Sequence, residues 1–185
     1  MNYPVTRESL FRLYGVNGVI FFPGFSRNHL NSATSAFLGS VGLPNDHVFD
    51  SGITLHALER SPYELGPLFE IDGRRCPEES EDWQVLGYLP AALVAVDPIS
   101  GKVYVFQEGA DEYQLMHRDI VSLVYCLAEF RKLDDAYKAA YPDSPDVEDL
   151  VESFRQAVNA IDPAPLDDPE GEWNRMLDEV LEEMW

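Results

Sequence analysis

The stretch "AALVAVDPISGKVYVFQEG", residues 91–109, decides the fold. Two apolar runs, 91–97 and 102–108, flank Asp97-Pro98-Ile99-Ser100-Gly101, which has the chemistry of a short loop between antiparallel strands. The Asp97 carboxylate can accept from backbone N–H groups two residues on, and Pro98 presets φ for the first corner. Gly101 can take the left-handed conformation that closes the turn. Each loop residue has a structural task, so the hairpin reads as scaffold and not as an active site. In its second strand Val103, Val105 and Gln107 point one way, Tyr104 and Phe106 the other. Both faces carry apolar side chains, so this strand is expected to be central and covered on both sides.

Working outward, "WQVLGYL" (83–89) and "EYQLMH" (112–117) read as neighbouring strands, and "PLFEID" (67–72) as another. Spacing this tight, with no helix between, implies antiparallel pairing. "GVIFF" (18–22) reads as a brief strand stopped by Pro23-Gly24. Before it, Thr6 is placed to cap a helix with Leu10, Phe11, Leu13 and Tyr14 on its apolar face, and Gly15 to end it. Residues 31–39 read as a short helix.

After the strands the chain becomes helical. Ile120, Leu123, Val124, Leu127, Phe130, Leu133 and Tyr137 follow the 3.6-residue period of a helix on a core, with Asp119 as its cap. A second helix starts near Ser144-Pro145, its first turn rich in acids that favour the helix dipole. A Pro- and Asp-rich linker (162–171) leads to a last helix striped by Trp173, Met176, Leu177, Val180, Leu181 and Met184, which reads as core packing before partner groove. The expected class is therefore α+β: a central, mostly antiparallel sheet of about five or six strands flanked by helices, with a helical C-terminal extension. The division is a domain over 1–142 and an acidic extension over 143–185, packed on the same domain.

Charge is the dominant global property. Thirteen Lys and Arg against thirty-three Asp and Glu give a net charge of −20, and residues 143–185 supply −12 of it through fourteen acids and two arginines. Such a chain is repelled by nucleic-acid phosphates and anionic membranes and attracted to basic proteins. No signal-like leader and no run near the roughly 20 apolar residues of a membrane span are present, so the expected compartment is the cytosol. Cys76 and Cys126 make no disulfide framework.

A search for catalytic chemistry finds no constellation. His117-Arg118-Asp119 matches the start of the protein-kinase catalytic loop, but the required Asn five residues after the Asp is Val124. His47 with Asp50 and His56 with Glu59 have helical-turn spacing, yet no HExxH or cysteine pair supports a metal site. No GxSxG elbow is present, and Cys126 sits in a helical core, where burial would raise its thiol pKa. No enzyme, catalytic residue, cofactor or metal is expected. Two acidic loops beside the sheet are the candidate partner-binding residues: Glu78, Glu79, Glu81 and Asp82 in one, Glu108, Asp111 and Glu112 in the other. They could face a cationic surface and raise its association rate.

The order of these elements resembles the SUKH superfamily, and most its fourth group of bacterial immunity proteins. The resemblance is carried by "FLGSVGLPNDHVFD", the Leu-Gly of "WQVLGYL", the Asp-x-x-x-Gly hairpin "VAVDPISGKVYVF" and the helix "RDIVSLVYCLAEFRKL", over about residues 35–135. Group members often carry an Asn near the start of that helix, where this chain has His117-Arg118-Asp119. The resemblance implies an α+β fold and a protein that neutralises a cognate toxin, frequently a nuclease or nucleic-acid deaminase, by binding it without catalysis. It implies a basic toxin as partner, and the charge reading adds that neither nucleic acid nor membrane is expected. The alternative is a general interaction or regulatory module on the same scaffold.

Overall fold

In the computed structural model, which describes residues 4–22, 30–51, 64–110, 112–140, 146–182 and 184–185, the first element is α1 (Arg7–Tyr14). Thr6 caps it by accepting from the Ser9 N–H, while the Ser9 hydroxyl oxygen accepts from the Thr6 N–H, so serine performs the reciprocal role usually given to Glu or Gln. β1 (Val19–Ile20) and β2 (Leu43–Pro44) form a small antiparallel sheet, with α2 (Ser32–Ser40) between them in the chain. Next come α3 (Leu65–Ile71) and the four strands β3 (Gln84–Leu89), β4 (Ala92–Val96), β5 (Val103–Gln107) and β6 (Gln114–His117). These four pair in sequence order, each antiparallel to the next. The chain closes with α4 (Ile120–Ala140), α5 (Val147–Asn159), the single-turn α6 (Ala164–Asp167) and α7 (Glu172–Leu181).

The central sheet has fewer strands than expected, and one reason is local. Of residues 67–72, expected as a strand, 67–71 belong to α3 and Asp72 is its C-cap. A short apolar run cannot separate strand from helix by length alone. Here Leu65, Leu68 and Phe69 fall on one helical face and pack on the sheet, while Pro67 lies in the first turn, where no N–H is needed. The other reason is that β1 pairs with β2, away from the main sheet.

Both sheet faces are covered, as the alternation along β5 requires. One face, with Leu86, Leu89, Val94, Val96, Val103 and Val105, joins a large core with Phe37, Leu38, Leu123, Leu127 and Phe130. The other carries Val85, Leu93, Ala95 and Phe106 under Leu65, Phe69 and Trp83. The hairpin is scaffold: Asp97 Oδ1 accepts from Ile99 N–H at 2.8 Å, and Pro98 C=O accepts from Asn31 N–H at 2.8 Å, seating the turn on the start of α2.

Leu86 and Leu89 share the large core although three residues apart, because a bulge shifts the β3–β4 register between Val85 and Gly87. Past that bulge Tyr88 exchanges both backbone hydrogen bonds with Asp50, at 2.8 and 3.0 Å. A Cβ on Gly87 would lie 2.3 Å from Asp50 O and 2.7 Å from Ser51 Cα, so only glycine lets that segment approach. Gly87→Ala is expected to destabilise by about 1–3 kcal/mol, the range for overpacking. A lower urea midpoint at unchanged m-value is the confirming measurement.

The C-terminal helices complete the large core. Val151, Phe154 and Val158 of α5 and Trp173, Met176, Leu177 and Val180 of α7 are buried in it, while Leu181 and Met184 are exposed. Residues 141–145, where the sequence sets its boundary, lie outside the described residues. A buried hydrogen-bond chain ties four segments together. Trp173 Nε1–H donates to His117 Nε2 at 3.0 Å, which leaves the ring proton on Nδ1, 2.8 Å from Ser122 Oγ. The Ser122 hydroxyl donates to Asp162 at 2.6 Å, and Asp162 also accepts from the Arg118 and Ala164 N–H groups. Each member is paired, as buried polar groups require.

Candidate protein-docking surface

The second face of the central sheet is built from aromatic rings. Across the strands, Ala95 pairs with Tyr104, and Tyr104 with Leu115, so these side chains share a row on this face. Trp83 stacks on Tyr104 with ring centres 4.2 Å apart, and Tyr113 leans on Trp83 at 4.7 Å. Phe69 of α3 meets Phe106 edge-on at 5.4 Å, and the Arg74 guanidinium covers the other part of Phe69, 4.2 Å from its centre. Trp83 and Phe106 are buried, Tyr104 and Tyr113 half-buried, and Leu115 is exposed.

This aromatic cluster joins the two acidic loops. The Tyr113 hydroxyl donates to Glu79 Oε1 at 2.9 Å, and Arg74 donates to the Ala110 carbonyl. Residues 78–80 form a 3-10 turn held by Ser80, whose hydroxyl donates to Pro77 C=O at 2.9 Å. Glu81 C=O accepts from Gly66 N–H, which ties the loop to the start of α3. Glu78, Glu79, Glu81 and Asp82 project from it into solvent. On the second loop Glu108 and Glu112 are exposed, and the Glu108 N–H donates to Ala91 at the end of the β4–β5 ladder. Asp111 lies outside the described residues. Hydrogen bonds from its own backbone N–H and from Tyr113 hold Glu79 below the usual carboxylate range, so it is ionised at neutral pH. The same bond pushes the Tyr113 phenol up.

Sequence reasoning named the acids but not the rings between them. Tyr104 was already placed opposite Val103 and Val105, and its pairing with Leu115 would have followed from a correct β5–β6 register.

The described histidines and Cys126 sit elsewhere, whereas Cys76 packs against the aromatic cluster. His117 is fully buried, and burial pushes its pKa down to about 3, partly opposed by the Asp162 carboxylate. Its Nε2 is occupied by the Trp173 indole, which leaves no lone pair for a substrate proton or a metal. Asp119 accepts from Ser122 N–H at 2.8 Å, a helix cap and not a catalytic base. His47 Nε2 lies 3.4 Å from Asp134, which also holds Lys138 and the Trp185 indole. Burial raises the Cys126 thiol well above its ordinary range, and raises that of Cys76, which contacts Ser80. His29, His56 and Glu59 lie outside the described residues. Among the described residues no helix is long and apolar enough to cross a membrane.

Comparison with curated proteins and comparison with solved structures each found no match. A family model, described as SUKH-4 immunity protein, matches residues 5–180. That span reaches beyond 35–135 at both ends, taking in the buried Leu10 of α1 and the buried Trp173 of α7. The chain belongs to the SUKH-4 immunity protein family.

Proposed function

We propose that this protein binds a cognate toxin and neutralises it by occlusion, transforming no substrate of its own. The toxin is a basic protein, a nuclease or nucleic-acid deaminase, and the contact is made by the acidic loops at 78–82 and 108–112. The observation that carries the reading is the Tyr113–Glu79 hydrogen bond, which holds the two loops as one surface on a rigid aromatic base. Membership of an immunity family supports a protein partner, and the net charge of −20 favours a cationic one. Preorganised acids of one sign steer an opposite partner into encounter and fix its orientation, at little cost in ordering. In a chain this acidic the same field disfavours nucleic acid and anionic membrane, so the partner's own nucleic-acid-binding groove is the natural target.

Charge reversal tests this. The variant with Glu78, Glu79, Glu81 and Asp82 each replaced by Lys is mixed with the toxin domain encoded beside its gene, and association is followed by stopped flow at low salt. The on-rate is expected to fall at least about tenfold, the lower end of electrostatic steering, and the difference to shrink as salt is raised. An unchanged on-rate removes this loop from the interface.

A further inference from the structure

We propose that the outer edge of β6 is a strand-addition site, which takes an extended, basic segment of the partner protein as a fifth strand of the central sheet. The inference rests on the reading that the partner is a basic protein and adds the way in which it is gripped. Backbone directions follow from the ladder. Asp97 N–H donates to Lys102 C=O, and Glu108 N–H to Ala91 C=O, so the even-numbered residues of β5 face β4. Val103 and Val105 then face β6, where Val105 pairs with Gln114 and Tyr104 with Leu115. Gln114 therefore turns its backbone groups inward, and Leu115 turns its N–H and C=O away from the sheet. Among the described residues no backbone hydrogen bond outside the β5–β6 ladder involves Leu115.

The far end of the strand is already occupied. Asp162 takes the Arg118 N–H, and α6 packs beside β6. The near end differs, since Glu112, Gln114 and Leu115 are exposed, Leu115 at 46%. A strand edge that is unpaired among the described residues and carries an exposed apolar side chain is a template for another strand. The Leu115 and Tyr104 row offers a shallow apolar track to every second side chain of that strand, and Glu79 and Glu112 flank it with negative charge. The same charge selects the occupant. A second copy of this chain brings −20 of its own and is repelled, whereas a segment carrying Lys or Arg is drawn in.

The test uses the full chain and the toxin domain encoded beside its gene. Amide hydrogen exchange is followed residue by residue, free and in complex. The Leu115 amide is expected to exchange rapidly in the free protein and to slow at least about a hundredfold in the complex, as a new ladder bond requires. Leu115→Pro removes that donor at a position where an edge strand tolerates proline, while Leu115→Ala keeps it. Affinity is expected to drop at least about tenfold for the proline variant relative to the alanine variant, with equal thermal midpoints. If the complex forms and the Leu115 amide exchanges as in the free protein, strand addition is overturned while the immunity reading stands. If no complex forms, that reading falls and takes the inference with it.

Discussion

Replacing Trp173 by alanine is expected to lower stability by about 3–5 kcal/mol, the range for truncating a buried aromatic. Trp173 is 1% exposed and touches Phe130, Phe154 and His117, so the vacated space is bordered by rings from three other elements that cannot all collapse into it. The variant also leaves His117 Nε2 buried without its donor. Against a typical total of 5–15 kcal/mol this is enough to leave a substantial unfolded fraction. Urea denaturation followed by circular dichroism measures it. Trp173→Phe separates the two contributions, since it keeps most of the apolar area and loses only the indole N–H, at about 1–3 kcal/mol. A loss below about 1 kcal/mol for the alanine variant would mean that α7 is not part of the cooperative core.

Acid is expected to undo the same junction. In the folded protein burial holds the His117 pKa at about 3, against an ordinary value of 6.5. The unfolded chain therefore binds a proton between those values that the native state refuses. The contribution is fully present above pH 6.5, declines as pH falls through the window, and levels off below about pH 3. Within the window the slope is about 1.4 kcal/mol per pH unit, so roughly 3 kcal/mol is lost by pH 4.5. His117→Gln removes the titrating group. Unfolding free energies of both proteins between pH 7 and pH 4 are expected to converge, the native protein falling more steeply by one proton's worth. Parallel curves would show that His117 is not the proton acceptor in question.

Much of the fold was legible because its signals are local. Turn chemistry at Asp97-Pro98 and Gly101 and the two-sided alternation along β5 pointed to a covered, antiparallel sheet, and the 3.6-residue pattern from Ile120 onward to α4. Thr6 and Asp119 were readable as caps because their partners lie three residues away. The misreading of 67–72 is equally local in cause, for seven helical residues give too few turns to display a period. What stayed hidden depends on distant contacts. Nothing near Glu79 announces Tyr113, which is 34 positions on, and nothing near His117 announces Trp173, which is 56 positions on. Composition therefore gave the acids but not the rings that organise them. The resemblance over 35–135 left out the terminal helices, although the apolar stripe of α7 already read as core packing.

The Trp173–His117 bond also bears on how the chain is made. Synthesis proceeds at about 5–20 residues per second, N-terminus first. Tyr14 emerges early, yet the carbonyl that its hydroxyl meets belongs to Leu127, and the indole that satisfies His117 comes later still. Until α7 leaves the ribosome, Phe130 and Phe154 lack the ring they pack against and His117 lacks its indole donor. Translation halted before Trp173 thus yields a polypeptide without a finished interior, and cellular proteases rather than any partner are its natural fate.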